Sequence, residues 1–488
     1  MNYKFVGVVA ALIIFSPFAS AQFERIHICG AGLVNRPDID ATPILQECMT
    51  NEARVIELLP GRYYLDSTLN LGARSTLTLR TQGVTSGPAC LSKEAKSCAV
   101  LVASTRNPGV PIVKSEGAKH LALRYIALDG NIGPRRAKFG DTNWGDGTGY
   151  NATIHHCDHC QFIGFASVRA ARGTGLEFEG DDAIFDRVLF MDNGWDIQSS
   201  PSEKILRYAD GLTVWSSKNI QITNSTFIDN TDIDLILGNA PNARIENNRF
   251  GNTHSYAFAA LMLDNFNDGW PGDFTGAVIK ANQVDCTKGM CGIGINVGPH
   301  MWYPSKPILG GDISNNQING ARQGILTNGA MGTQIHDNKI EGPFPYVQGH
   351  CSGLPIAFSK TDKVDFRANS HAPKASQLEK CLPQNLATAL YSPKGTDLRI
   401  SRIYREVLNR NPDKAGGQFY KRALNTGWNL QDIRGFIATS DESKANLTQM
   451  SRKWLKRTMD TESEKLWIAY LAKDGSIAKL QTSMQLSE

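Results

Sequence analysis

Asp210, Asp232 and His254 stand 22 and 22 residues apart, and Asp234 follows Asp232 by two. Carboxylates grouped with a histidine do acid–base work: one carboxyl protonates a leaving oxygen while another activates a water. Inverting hydrolysis of a glycosidic bond needs carboxyl groups ~6.5–9.5 Å apart. A two-residue step along a strand, ~6.7 Å, falls in that range. Asp232 or Asp234 would then be the acid, Asp210 with the other carboxylate would position the water, and His254 would tune their protonation. The same residue types also tie tight turns to their own backbone. A different chemistry, proton abstraction beside a uronate carboxylate, would draw on Arg207, Tyr208, Arg244, Tyr256 and Lys288, and only that chemistry would call for Ca²⁺.

Other groups point to binding. Arg135 and Arg136 lie in a polar insertion, 131–150, with Trp144; Trp270 and Trp302 lie in later insertions, and Tyr256 sits beside His254. Aromatic rings there can stack on sugar faces, so Arg135, Arg136, Trp144, Tyr256 and Trp270 are the expected substrate contacts. The run His155-His156-Cys157-Asp158-His159-Cys160 has metal-ligand residue types, but more of them than one tetrahedral ion can use. A disulfide at Cys157 is the expectation, with no metal and no cofactor.

An interval becomes a distance only in a fold that stacks it. From Ile222 the chain repeats Ile-x-x-Asn-x-apolar, with Ile222, Ile245, Ile279, Ile313 and Ile335 each opening a copy (the first has Ser225 for Asn), and looser copies open at Leu123, Ile163 and Ile184. A period near 22 with β-branched residues and no long helical runs predicts an all-β, right-handed parallel β-helix, a pectate-lyase-like solenoid whose coils stack ~4.8 Å apart. The five isoleucines should form one interior column, and Ser225, Asn248, Asn282, Asn316 and Asn338 another. Thr42-Pro43 should open a short helix, with Ile44, Leu45 and Cys48 on one face, that lids the open end.

Residues 1–21 read as a secretory signal peptide, from Lys4 through the apolar Phe5–Phe18 to Ala19-Ser20-Ala21. The remainder, with no other long apolar run, should be soluble and periplasmic or secreted. A net charge of +4 from 51 basic and 47 acidic residues is too balanced for a nucleic-acid partner. Ten cysteines after such a leader favour disulfides, most simply in sequential pairs 29–48, 90–98, 157–160, 286–291 and 351–381. The solenoid is expected over 22–342, a Pro/Gly/Ser-rich cover and linker over 343–395, and a small all-α domain over 396–488. In that last part Leu408, Arg410, Asp413, Leu424 and Ser440 recur 47 residues later.

Three resemblances follow from these residues. The helix followed by Leu59-Pro60-Gly61-Arg62-Tyr63 is similar to the start of pectin-degrading and tailspike-type β-helix proteins. Ala209-Asp210-Gly211, Asp232-Ile233-Asp234 and Thr253-His254-Ser255 resemble three motifs of the polygalacturonase family: Asn-Thr-Asp, Asp-Asp and Gly-His-Gly. Its fourth, Arg-Ile-Lys, which binds the substrate's carboxylate, falls on Gly294 and Asn296 here. The family resemblance implies glycoside hydrolysis of a polysaccharide, but not galacturonate specificity. A lyase or epimerase is the rival enzyme, and a carbohydrate-binding or cell-surface structural protein the non-enzymatic rival. Ile403–Asp413 resembles the start of an uncharacterised helical module of secreted bacterial proteins, a candidate contact for a cell-surface or secretion partner.

Overall fold

The computed structural model describes residues 25–367 except 51, 74–75, 91–96, 140–148, 195–208, 268, 287–289, 300–305 and 342–355, then 369, 376–377 and most of 400–485. Its strands pair in parallel into three long sheets. The first runs from Ile26–Cys29 to Asp365–Arg367, the second from Gly61–Leu65 to Lys339–Glu341, and the third from Leu69–Asn70 to Ser376–Gln377. Each coil passes through the three in that order, which makes a parallel β-helix.

The repeated phrase explains the turn between the first two sheets. Ile222, Ile245, Ile279, Ile313 and Ile335 pair in register as one column, fully buried. Asn224, Asn247, Ala281, Asn315 and Asp337 then turn the chain in the left-handed region, a conformation Asn and Asp tolerate. The next residue, Ser225, Asn248, Asn282, Asn316 or Asn338, points inward. Each asparagine side-chain oxygen accepts the backbone N–H of its counterpart one coil earlier, at 2.9 to 3.0 Å, and Asn369 extends the ladder. Each side-chain N–H₂ donates to the column residue one coil back, Ile222, Ile245, Ile279, Ile313 or Ile335, at 2.8 to 2.9 Å. The ladder satisfies buried backbone groups that would otherwise cost ~1–3 kcal/mol each. Phe227, Phe250, Val284, Ile318 and Ile340 close the phrase as a column of the second sheet.

Three expectations shift. In the earlier coils the column residues are Phe162 and Phe185, stacked at 4.3 Å, and not Ile163 and Ile184, which face outward and are half-buried. The solenoid runs on past Gly342, through Ile356–Asp362 and Asp365–Arg367. Thr42–Thr50 is a helix against the first coil, with Leu45 fully buried and Cys48 joined to Cys29. Thr42 is its first helical residue, however, with its hydroxyl given to Asp40, and Ile44 stays 45% exposed.

Cys90–Cys98, Cys157–Cys160 and Cys286–Cys291 are the other disulfides among the described residues. The bond at Cys157–Cys160 removes the thiolates a metal would need there. Residues 1–21, Cys351 and Cys381 lie outside the described residues. Helices Leu430–Ala438, Asp441–Trp454, Thr461–Lys473 and Ile477–Gln485 form a second unit with its own core, including Val407, Ile433, Leu447 and Leu471. No helix among the described residues is long and apolar enough to cross a membrane.

Candidate functional site

On the third sheet the interval of 22 does not survive. Leu212 pairs with Leu235 and Leu235 with Leu261, offsets of 23 and 26. Asp210, Asp232 and His254 therefore form no straight column. Their surroundings differ in kind.

Asp210 lies on the outer face of Ala209–Ser216, next to Thr174 in register. Its carboxylate accepts the Thr213 hydroxyl at 2.8 Å and the Ile233 N–H at 3.2 Å. Asp232 precedes the next strand, half-buried, and its carbonyl accepts the Phe258 N–H.

Asp234 is buried within the solenoid. Leu212, Leu235, Leu261 and Ile295 face the core, and the residues before them (Gly211, Asp234, Ala260 and Gly294) face inward as well. This bulge breaks the two-residue alternation. One carboxyl oxygen accepts from Asn230 at 2.7 Å, and the other meets no partner. Burial pushes this carboxyl well above the usual range, with the charges of Asp229 and Asp210 adding to it against the Asn230 hydrogen bond. Asp234 therefore cannot touch a polymer.

His254 occupies the exposed corner between the second and third sheets. Its Nδ1 lies 3.0 Å from Asp229 and its Nε2 3.1 Å from Asp192. Asp229 is buried and accepts the N–H groups of Thr253, His254 and Ser255, plus the Thr253 hydroxyl. The three side chains lie within 4.8 Å of one another. Each ring nitrogen faces a different carboxylate, so the three residues clamp three successive coils together at this corner.

The outer face holds a group that spacing did not reveal. Glu177 pairs in register with Thr213, the residue that binds Asp210, and is only 9% exposed. From the coil spacing and three residues along the strand, Glu177 and Asp210 are ~11 Å apart at the backbone. His155 Nε2 stands 2.9 Å from Glu177, off the line of a hydrogen bond. Tyr150 bonds Glu177 with its phenol, which burial and then the Glu177 charge hold protonated far above its ordinary range. Gly173 makes room for that ring, since a Cβ there would stand 1.5 Å from it. His156 is held protonated above its ordinary range, chiefly by a hydrogen bond to Glu116.

Next to this group is an aromatic wall. Trp215, 6.3 Å from His155 between ring centres, meets Phe266 and Trp270 edge-on, both at 5.7 Å. Gly238 leaves space for them, because a Cβ would lie 2.6 Å from each of these two rings. Lys479 sets its ammonium 4.6 Å from the Trp215 ring centre. Beyond these coils the face is apolar and covered, with Ile236, Met262 and Leu326 buried and Asn296 buried among them in the same column.

Of the expected substrate contacts, Trp270 is on this wall. Arg135 is buried, donating to Gly130 and Asn107, and burial lowers it to about 10. Tyr256 is 5% exposed beneath the Arg322 guanidinium. Neither is placed to meet a polymer. Trp144, Trp302, Arg207, Tyr208, Lys288 and the Arg136 side chain lie outside the described residues. Glu177 was readable in principle, since Leu176 and Phe178 on either side must face the core.

The fold is that of a right-handed parallel β-helix protein with a small helical C-terminal unit. A family model described as "Right handed beta helix region" matches residues 146–370. No curated protein matches the sequence. Among solved structures it is similar to the Dettilon tailspike protein gp208 (11% identity, TM-score 0.46, covering 70% of this chain and 65% of that one). It is also similar to an endo-xylogalacturonan hydrolase from Aspergillus tubingensis (12%, TM-score 0.45, 72% and 95%). A third is PfbA, a surface adhesin of Streptococcus pneumoniae (11%, TM-score 0.40, 70% and 92%). The chain thus spans just under two thirds of the tailspike's length. Glycoside hydrolases are among these neighbours, at low identity.

Proposed function

We propose that this is a secreted protein that cleaves a glycosidic bond of a polysaccharide on the outer face of its third sheet, with Glu177 and Asp210 as the carboxyl pair. The observation that carries the reading is the pair itself: two carboxylates on adjacent coils, one beside a phenol and an imidazole, with an aromatic wall next to them. Asp210, which accepts the Thr213 hydroxyl and the Ile233 N–H, is the base that activates water. Glu177 is the acid, with the Tyr150 phenol and the His155 imidazole beside it. Trp215 and Trp270 supply faces for sugar rings. Asp232, one coil on, remains a candidate for the second carboxylate. Glu116, Glu177 and Asp210 give the face a negative character, buried Asn296 offers no cation for a uronate, and the Lys479 ammonium is set over the Trp215 ring; a neutral stretch of polymer fits this face better than a uronate.

Polymer binding without turnover is the second reading. It is favoured by Asp210 already being engaged by two donors.

Purified protein incubated with neutral and acidic polysaccharides, read for reducing ends and ultraviolet absorbance, tests the proposal. Reducing ends without absorbance are expected from a neutral polymer. Glu177→Gln and Asp210→Asn should each lower the rate by ~10²-fold or more with little change in melting temperature. Absorbance would make it a lyase, and polymer retained on a gel without cleavage would make it a binder; either result overturns the proposal.

A further inference from the structure

An ammonium already lies on the aromatic wall of the third sheet, and its position points to a class of ligand. Lys479, an exposed residue of the helix Ile477–Gln485, sets its Nζ 4.6 Å from the centre of the Trp215 ring. A cation over an indole face is attracted by the negative face of the ring's quadrupole. Phe266 and Trp270 stand almost at right angles to Trp215, at 86° and 77°, and pack against each other at 5.2 Å. The three rings form one block, and the Trp215 face under Lys479 is where it takes a positive charge.

The surroundings of that face are acidic. His155, 6.3 Å from Trp215 between ring centres, has its Nε2 2.9 Å from the Glu177 carboxylate. Its Nδ1 lies 3.9 Å from Glu116, whose side chain is exposed. Phe178 pairs with Val214, so Glu179 and Trp215 are the next residues on adjacent coils. Lys114 is on this face too, but two coils before Glu177. The chain as a whole has a formal net charge of +4 and does not attract cationic polymers in general. A cation bound here is held locally, by the ring and by these carboxylates.

We propose that the polymer carries amino sugars with free amines, and that one such ammonium takes the place of Lys479 over Trp215. The proposal rests on Glu177 being the acid of the cleavage reaction. Along the strand the order is Asp210, then Thr213 beside Glu177, then Trp215. Trp215 therefore lies beyond the acid from the base, and the amino sugar is on the leaving-group side of the bond. Acetylation of the amine removes the charge that the ring attracts. A carboxylate in its place is repelled by Glu116, Glu177 and Glu179. Lys479 is the internal competitor, seated on the ring until the polymer displaces it.

The test is calorimetric titration of the full chain with a short chitosan oligomer, all amines free, and with the matching chitin oligomer, all amines acetylated. The free-amine form should bind at least ~5-fold more tightly, and added salt should narrow the gap. Lys479→Ala should tighten the free-amine oligomer ~3–10-fold and leave the acetylated one within about twofold. Trp215→Leu should erase the preference, with circular dichroism verifying the strands. Equal binding of the two oligomers, a preference that survives Trp215→Leu, or a Lys479→Ala variant that binds both as the parent does overturns the proposal. Cleavage is read separately. A neutral polymer cut through Glu177 and Asp210, with no preference for free amines, overturns this inference and leaves hydrolysis standing. Trp215-dependent binding of the free-amine oligomer without cleavage supports the ligand class and overturns hydrolysis.

Discussion

Asp234→Asn separates a structural carboxyl from a catalytic one. The side chain is fully buried, keeps one hydrogen bond to Asn230 and leaves its second oxygen unpartnered. Burial raises its folded-state pKa well above the ordinary value. The sign then follows: an acid that holds its proton in the folded state costs nothing below its unfolded pKa, ~3.9. As pH rises past that value the unfolded chain releases the proton and the native chain does not. Stability therefore falls by ~1.4 kcal/mol per pH unit until the folded pKa is reached. Asparagine has the same shape, still accepts from Asn230 and cannot ionise. The variant should match the parent near pH 4 and be more stable at pH 7–8 by ~1–3 kcal/mol, the usual cost of an unsatisfied buried polar group. Urea unfolding at pH 4.5, 6 and 8, followed by circular dichroism, measures this. If the variant is less stable at pH 8, or if it loses activity ~10²-fold with its stability unchanged, the reasoning is refuted and the carboxyl belongs to the chemistry.

Asn282→Ala removes the acceptor of the Asn248 backbone N–H and side chain and the donor to the Ile245 carbonyl. A loss of ~3 kcal/mol or more in chemical unfolding is expected, with the solenoid's strand content retained at low denaturant. His254→Ala takes away an exposed clamp between Asp192 and Asp229. It should cost no more than ~1 kcal/mol and leave any turnover of polymer within about twofold, since the residue does not lie with Glu177 and Asp210.

The first two sheets were legible in the sequence because the link between them has a fixed length. From column isoleucine through left-handed turn to ladder asparagine is always three residues, and the next apolar residue is two further on. Nothing can be inserted without breaking the ladder. The columns of Ile222 and Asn248 therefore follow directly from the repeat, even across intervals of 34. The third sheet has no such rule. From the end of Leu189–Met191 to the start of Ala209–Ser216 the chain travels through a long insertion, while Ile228 and Ile233 bracket the same corner one coil later with four residues. That insertion precedes Asp210, and after it the corners still vary, so steps of 22 fall one residue short of the coil from Leu212 to Leu235 and four short of the coil from Leu235 to Leu261.

Alternation misled in a second way. Two consecutive inward residues mark this sheet in coil after coil, and the first of them is small: Gly211, Ala260, Gly294. Asp234 is the exception, in a place where little more than a hydrogen atom or a methyl group fits elsewhere. That makes it more unusual than a groove carboxylate, and it shows why a motif matched by residue type can lie on the wrong side of a strand. The carboxylates that do face outward, Glu177 and Asp210, are 33 residues apart and belong to no repeat. They meet because Thr213 stacks on one and bonds the other. Register, set by the buried apolar partners Leu176 with Leu212 and Phe178 with Val214, thus decides which polar side chains share the face. A substitution that slips this pairing, such as a polar residue at Leu212, should therefore abolish polymer cleavage without touching a carboxylate. The matching measurement is whether cleavage and the near-ultraviolet signal of the neighbouring Trp215 are lost together; cleavage surviving the loss of that signal would show that the site does not depend on this register.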